Sequence, residues 1–259
     1  MKKMNLRLKA YDLLTATLVC LINTLIVSHA LAAEVEPIVA DYRSANDLVE
    51  LHYPVETNLS YKERHETAGF MFSVGYENVI LDRYVSIVDF TTFYQDMFGE
   101  AEFPVYGLNL SYKYNFSLGA LTADFGLGYG SISDDGSGTV RSLELKKYSI
   151  SGSYIMDMLF SEPYFAPYVT AGIMRLGLEE KAGEEKVTGN IDMLYFYQAG
   201  FLFQLNWLDP TVSRKNIIDY GLENTYLDIF VSKYEPSLDV NDPDTSTDYS
   251  IGAGIRMEF

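Results

Sequence analysis

The sequence has 259 residues and a formal net charge of −17, and 21 tyrosines and 15 phenylalanines accompany 36 acidic side chains. A chain this acidic repels the phosphates of nucleic acid, which excludes nucleic acid as its partner. The single cysteine, Cys20, excludes a disulfide within the chain and a metal centre built on several thiolates.

The first 32 residues differ in character from the rest of the chain. Basic residues precede an apolar run over residues 13–27, and Ala30, Leu31 and Ala32 follow it. This order of charged, apolar and small residues is typical of a secretory signal peptide. The apolar run is also shorter than the about 20 residues of a membrane-spanning helix, which argues against a stop-transfer segment. We therefore expect residues 1–32 to be removed, and the mature chain to begin with a mixed extension over residues 33–65.

From residue 66 to residue 259, apolar and polar side chains alternate in repeated short runs. Side chains of an extended strand point alternately to opposite faces, so each run predicts a strand with one apolar face. Eight such runs occur, at residues 68–76, 105–116, 121–130, 148–156, 169–173, 191–207, 219–234 and 249–259. In the seventh run the alternation changes phase near Asn224, and a bulge is one explanation.

The connections between the predicted strands differ in length on the two sides of the sheet. Short connections follow the second, fourth and sixth strands, at residues 117–118, 160–166 and 208–216. Longer, polar connections follow the other strands, at residues 79–103, 132–146, 179–189 and 235–247. This pattern predicts an all-β fold over residues 66–259, a transmembrane, antiparallel up-and-down barrel of eight strands. A soluble β-sandwich is the competing interpretation, but it gives no reason for such regular alternation.

The first long connection is too apolar for a plain solvated loop. We expect it to form a short helix or strand extensions that cap the mouth of the barrel, in preference to a disordered loop. If it forms two more membrane strands instead, the barrel has ten. The apolar residues concerned are Leu81, Tyr84, Val85, Val88, Met97 and Phe98.

A membrane barrel presents its apolar face to lipid and its polar face to the lumen. The polar faces are rich in glycine and serine, and they also carry the charged residues Lys113, Asp124, Asp192, Arg256 and Glu258. We expect these lumen charges to pair with one another, because an unpaired charge is costly in an interior of low dielectric constant.

The last predicted strand carries a pattern that points to a known class. Its apolar residues alternate up to the final position, at Tyr249, Ile251, Ala253, Ile255, Met257 and Phe259. This pattern resembles the C-terminal signature of bacterial outer-membrane β-barrel proteins, and residues 167–173 are similar to strand starts in small OmpA-like and OmpW-like barrels.

The resemblance implies a Gram-negative outer-membrane location, with both termini and residues 33–65 in the periplasm. It implies periplasmic chaperones and the barrel assembly machinery as partners during biogenesis, and outer-membrane lipid and lipopolysaccharide afterwards. The assembly signal that the machinery would read comprises Tyr249, Ile251, Ile255, Met257 and Phe259.

No motif in the sequence indicates catalysis. Known barrel enzymes use histidine as a base, whereas His29, His52 and His65 all precede the first predicted strand. The acidic stretch at residues 239–243 departs from the calcium-loop pattern at Pro243 and lacks its glycine, so no metal or other cofactor is expected. We expect a structural or surface-interaction protein without catalytic activity. The alternative is a narrow channel or a binding pocket for a small hydrophobic molecule, which the resemblance to OmpW-like barrels implies.

Overall fold

The computed structural model describes residues 59–134 and 140–259. The predicted signal peptide, and the predicted extension up to residue 58, lie outside these residues. The described strands are β1 (Ala68–Val79), β2 (Phe103–Phe116), β3 (Gly119–Asp134), β4 (Arg141–Ile155), β5 (Phe165–Ala182), β6 (Glu185–Gln204), β7 (Asn224–Ser237) and β8 (Ser250–Glu258). The helices are α1 (Tyr61–Arg64), α2 (Tyr94–Phe98), a 3-10 turn (Asn206–Leu208) and α3 (Pro210–Tyr220).

The eight strands form a closed barrel, in which each strand pairs with the next and β1 pairs with β8, all antiparallel. Closure leaves no free sheet edge, so every strand has a hydrogen-bonding neighbour on both sides, as a membrane interior requires. The prediction of eight strands is confirmed. The ten-strand alternative is wrong, because residues 80–102 contain α2 and one isolated bridge between Val85 and Phe93 instead of two more barrel strands.

The alternation in the sequence maps onto the two faces of the barrel wall. In β1 and β2, Phe70 and Leu110 are exposed on the outside, while Met71 and Ser111 are buried inside. The outer wall is apolar around the barrel, with exposed side chains that include Val74, Leu108, Phe125, Ile150, Val169, Phe201, Ile229 and Ile251. The apolar faces therefore point outwards, as in a membrane barrel and unlike a soluble sandwich.

Three predicted connections differ from those observed. The long connection predicted at residues 132–146 is shorter, because β3 continues to Asp134 and β4 begins at Arg141. Strands β5 and β6 run to 18 and 20 residues and are joined by a tight turn at Gly183, whose φ of 61° is readily adopted by glycine. The predicted long loop there is instead a hairpin. Each of its two strands is longer than the about 9–11 residues that a membrane-spanning strand needs. Conversely, the predicted short turn between β6 and β7 spans residues 205–223 and holds the 3-10 turn and α3.

The change of phase near Asn224 is explained by α3. The Asp209 side chain accepts hydrogen bonds from the backbone N–H groups of Thr211 and Val212 and begins the helix, and left-handed Gly221 ends it. Residues 219–220 are therefore helical, and the strand begins at Asn224. A bulge is not needed to account for the sequence pattern in this segment.

Candidate functional site: the barrel interior and its two closures

The end of the barrel that carries α1 is closed by a group of buried polar side chains, which we call the base cluster: Tyr61, Lys113, Asp157, Asn224, Tyr226 and Glu258. The Nζ of Lys113 lies 2.6 Å from the Asp157 carboxylate and 2.5 Å from that of Glu258. Asn224 and Tyr226 each donate to the other Glu258 oxygen at 2.9 Å. One buried ammonium therefore faces two buried carboxylates, which further donors stabilise.

Tyr61 joins the N-terminal segment to this cluster. Its hydroxyl donates to Glu258 at 2.7 Å and accepts from Lys113 at 2.7 Å, and its side chain is completely buried. The helix α1 is fixed from outside as well, because the Tyr61 backbone N–H donates to the Glu162 carboxylate and Arg64 pairs with Glu223. The end of the predicted periplasmic extension is thus part of the barrel's interior packing.

A second group of charges lies further along the lumen. Arg256 on β8 pairs with Asp228 on β7 at 2.6 Å, and its guanidinium stacks over the Tyr168 ring, 4.8 Å from the ring centre. The Tyr168 hydroxyl donates to Asp228 at 2.8 Å. Across the lumen, the Asp124 carboxylate accepts from Ser153 at 2.6 Å. We call these residues the central cluster.

A cavity of about 80 Å³ lies inside the barrel at the level of the central cluster. Its walls include the carboxylate of Asp124, the serines Ser111 and Ser151, and glycines such as Gly107 and Gly128, which leave space because they lack side chains. One oxygen of Asp124 and the Nε of Arg256 have no protein partner among the described residues. A cavity that is polar and this large has room for several water molecules, which can bind these atoms.

The upper end of this cavity is bounded by another charged group. Lys147 on β4 pairs with Glu77 on β1 at 2.7 Å, and its ammonium lies 4.9 Å from the centre of the Tyr234 ring. The Tyr234 hydroxyl donates to Glu77, as does Ser232 at 2.8 Å. We call this the upper cluster, and it spans the lumen from β1 to β4 and β7.

Above the upper cluster, the connection between β1 and β2 folds into the mouth of the barrel. Leu81, Tyr84, Tyr94, Met97 and Phe98 from this connection are buried against inward-facing residues of the wall, including Phe103, Leu143, Leu176, Ile191 and Leu194. We call this packed layer the mouth cap. The prediction that the connection caps the barrel is therefore confirmed, because its apolar side chains are buried in the mouth.

A carboxylate of the wall holds the mouth cap in place. Glu180 on β5 is fully buried and accepts hydrogen bonds from Tyr84 at 2.8 Å, Ser86 at 2.6 Å and the Ile87 backbone at 2.9 Å. Burial raises the pKa of the Tyr84 phenol above its ordinary value, so the hydroxyl remains protonated as a donor. Arg141 lies 3.3 Å from the same carboxylate and so joins the wall to the cap.

Arg141 also pairs with Asp89 of the cap at 2.5 Å. The Asp89 carboxylate accepts further hydrogen bonds from the backbone N–H groups of Thr91 and Thr92. The hydrogen bond from Arg141, followed by these backbone donors, holds the pKa of the Asp89 carboxyl well below its ordinary value. The ionised form of Asp89 is thus favoured by the folded cap.

This chain is similar to several solved structures. Similar solved structures include the attachment invasion locus protein Ail of Yersinia pestis, with 14% identity, a TM-score of 0.41, and coverage of 74% of this chain and 97% of that one. The outer membrane protein OprG of Pseudomonas aeruginosa shows 12% identity, a TM-score of 0.45, and coverage of 75% and 97%. Neisserial surface protein A shows 12% identity, a TM-score of 0.41, and coverage of 75% and 98%. No family model and no curated protein matches the sequence.

The predicted lumen charges are placed as follows. Lys113 and Glu258 lie in the base cluster, and Asp124 and Arg256 lie in the central cluster. Asp192 belongs to none of the clusters described above and is half-buried, and its assignment as a lumen charge stays a prediction. Ile191 and Leu194 are both buried in the mouth cap, so the pairing register shifts between them, and the backbone N–H of Asp192 donates to the Asp242 carboxylate at 2.7 Å.

Several interior residues were not predicted from the sequence. Glu77 and Lys147 follow the alternation of β1 and β4, so extending each run by one or two residues would have found them. Asp228 was hidden by the uncertain phase of β7. Tyr61 carries no sequence signal, because it lies outside every alternating run and enters the lumen from a short helix.

The predicted assembly-signal residues lie on the outer wall. Tyr249, Ile251, Ile255 and Phe259 are exposed and Met257 is half-buried, whereas Arg256 and Glu258 point inwards. Phe259 exchanges two backbone hydrogen bonds with Phe70, each of 2.8 Å, at the seam between β1 and the end of β8.

Residues 59–134 and 140–259 contain neither a cluster that could bind a metal ion nor a membrane-spanning helix. No cluster of three or more histidine, cysteine or acidic side chains there has an arrangement that could hold a metal ion. Likewise, no helix in those ranges has both the length and the apolar character needed to cross a membrane.

Proposed function

We propose that this protein is an integral outer-membrane barrel with a structural or surface-interaction role and no catalytic activity. The observation that carries the proposal is the closure of the lumen at both ends. Among the described residues, the base cluster fills one end and the mouth cap fills the other, and the cavity between them measures about 80 Å³. Packed side chains at both ends of the lumen favour a structural scaffold over a channel or an enzyme.

The charges of the interior support a structural role in the same way. Lys113, Lys147 and Arg256 each face at least one carboxylate within hydrogen-bonding distance, and all are buried or largely so. A catalytic acid or base must reach a substrate atom, and these groups already contact one another. His65 also makes a local contact, since its Nδ1 lies 3.0 Å from the Tyr61 carbonyl oxygen.

The alternative role, a channel or pocket for a small hydrophobic molecule, is less well supported. Pockets for drug-sized ligands measure about 300–1,000 Å³ and are mainly apolar. The interior cavity is smaller, and serines, carboxylates and an arginine line it. It suits water better than an apolar ligand.

The outer-membrane location is supported by the apolar outer wall and by the two different ends of the barrel. The hairpin of β5 and β6 carries exposed charged residues on one side, and α3 lies on the other side with α1. In an outer membrane the hairpin would face the outside of the cell, where it is available for surface contacts, and α1 and α3 would face the periplasm. The barrel would meet lipid and lipopolysaccharide around its wall, after delivery by periplasmic chaperones and insertion by the barrel assembly machinery.

Cysteine labelling on intact cells tests this proposal. With Cys20 in the segment expected to be removed, Glu184→Cys and Lys215→Cys each introduce one exposed thiol, in the hairpin and in α3 respectively. A maleimide that does not cross membranes should label Glu184→Cys on intact cells and Lys215→Cys only after the outer membrane is permeabilised. Equal labelling of both, or the reverse order, would contradict the proposed orientation. Purified protein in planar bilayers should show no steady conductance, and steady wild-type channels would favour the alternative role.

A further inference from the structure

Two basic side chains lie on the outer wall of the barrel. Leu145 on β4 and both Met174 and Leu176 on β5 are buried in the mouth cap. Lys146 and Arg175 therefore point outwards by alternation, and both are exposed. Cations are unusual on the mainly apolar outer wall of a membrane barrel, so their position needs an explanation.

The register of the sheet places both cations beside outward-facing tyrosines. Tyr76 pairs with Tyr106, Tyr106 with Tyr129, and Tyr129 with Lys146, so a row of three tyrosines across β1, β2 and β3 continues into Lys146. Arg175 lies directly opposite Tyr148. Outward-facing tyrosines of barrels concentrate where the hydrocarbon meets the lipid headgroups, so the two cations lie at headgroup level on the long-hairpin side.

These two cations lack the ion pairs that their neighbours have. The next outward acidic residues, Glu144 and Glu179, are occupied by other lysines: Lys181 lies 3.8 Å from Glu144 and 3.2 Å from Glu179, and Lys186 lies 2.6 Å from Glu179. Among the described residues, Lys146 and Arg175 have no carboxylate within ion-pair distance. They present uncompensated positive charge on a chain whose net charge is −17.

The wall between the two cations is recessed. Lys146 pairs with Gly177, and Gly177 pairs with Asn190 on β6, so the position between two polar side chains has no side chain of its own. A depression at this point is lined by Tyr148, Arg175, Gly177 and Asn190. The guanidinium of Arg175 and the amide of Asn190 therefore line one shallow recess that opens towards the lipid. Lys146 lies beside this recess, because it is directly opposite Gly177 and its Cβ borders the space that a side chain at Gly177 would fill.

We propose that Lys146, Arg175 and Asn190 form a binding site for the phosphate group of an outer-leaflet lipid, which in an outer membrane is lipopolysaccharide. The planar guanidinium of Arg175 can bind a phosphate through two parallel hydrogen bonds, and Lys146 adds a point charge. The Asn190 amide supplies a neutral donor. This inference rests on the proposed outer-membrane location, and it adds the residues and the chemical group involved.

Counting bound lipid on the purified, folded barrel by native mass spectrometry tests the site. The probes are lipid A with its phosphates and lipid A from which the phosphates have been removed, each added in a neutral detergent. Removal of Lys146 or Arg175 should weaken binding of the phosphorylated lipid about fivefold, and removal of both about twenty-fivefold, given the usual contribution of one basic residue at a lipid surface. Binding of the dephosphorylated lipid should change little.

The matched control removes the same charge from the same region. Lys146→Gln with Arg175→Gln is compared with Lys181→Gln and Lys186→Gln, whose lysines are already ion-paired. Heat-modifiable migration on gels establishes that each variant is folded, and if the first double variant does not fold, the single variants provide the same comparison.

Equal loss of binding in both double variants, or equal binding of the two lipids by the wild type, would overturn the site. Failure of the outer-membrane location is distinguishable, because it would alter cysteine labelling on cells, whereas failure of this site leaves that labelling unchanged.

Discussion

Lys113 and Glu258 join β2 to β8 through an ion pair of 2.5 Å, although 145 positions separate them in the sequence. Both side chains are almost entirely buried. β8 closes the barrel by pairing with β1, and β2 pairs with the other edge of β1. The ion pair therefore connects the two strands that flank β1. It connects the closure of the barrel with the filling of its lumen.

Removal of one partner of this pair should destabilise the barrel strongly. Lys113→Met leaves the Glu258 and Asp157 carboxylates buried together without their cation, which typically costs about 3–5 kcal/mol. The measurement is the temperature at which the folded, heat-modifiable form converts to the unfolded form on gels. Lys233→Met is the control, because its ion pair with Glu235 is exposed and worth at most about 1 kcal/mol. Equal melting of the two variants would contradict the role of the base cluster.

Opening the base alone should not produce a channel. Tyr61→Ala removes the aromatic ring that closes the lumen beside Lys113, but the mouth cap still fills the opposite end. We expect the variant to show no steady conductance in planar bilayers and to melt at a lower temperature than the wild type. Tyr61→Phe is the matched control, since it keeps the ring and loses only the hydroxyl. Steady channels in Tyr61→Ala would show that the mouth cap does not block the lumen.

The mouth cap should loosen in acid. The folded-state pKa of Asp89 is lowered, first by the hydrogen bond from Arg141, and an unperturbed aspartate titrates near about pH 3.9. A lowered folded pKa means that the stabilisation is fully present above that unfolded value and is lost as the pH falls through the folded value. Protease cleavage within residues 80–102 should therefore increase below about pH 4.

Asp89→Asn separates this titration from that of other groups around Arg141. The variant should be cleaved faster than the wild type at neutral pH. The difference between the two cleavage rates should become smaller in acid, as Asp89 of the wild type becomes protonated. Glu180, which shares Arg141, remains in both proteins. A constant difference across the pH range would mean that ionised Asp89 does not hold the cap.

A charge at position 259 should impair assembly. The Phe259 side chain is exposed on the outer wall, and its backbone closes the seam with Phe70. Phe259→Asp places a carboxylate on the lipid-facing side of that seam and changes the predicted assembly signal, so we expect normal export but less folded barrel in outer-membrane fractions. Val240→Asp, at a fully exposed loop position, is the control. Unchanged amounts of folded Phe259→Asp would contradict the assembly-signal prediction.

Much of the barrel followed from the sequence because alternation is a local property of an extended backbone. Once Phe70 and Met71 lie on opposite faces, the same rule places Lys113, Arg256 and Glu258 inside. The closed sheet of eight strands follows from the same repeated runs. Helix α3 has no apolar stripe, so the sequence pattern did not indicate a helix at residues 210–220. The start of β7 was therefore predicted too early in the chain.

The sequence by itself determined the number of strands, the outward apolar faces and the inward direction of Lys113, Arg256 and Glu258, since each depends only on a period of two along the chain. The tertiary structure decided which of those residues meet. The register of the strands decides whether Lys113 faces Glu258, and a shift of pairing decides whether Asp192 remains on the inner face. The path of a short helix decides whether Tyr61 reaches the lumen. These features depend on contacts between segments that are distant in the sequence. A local pattern does not specify how strand register and barrel closure bring such segments together.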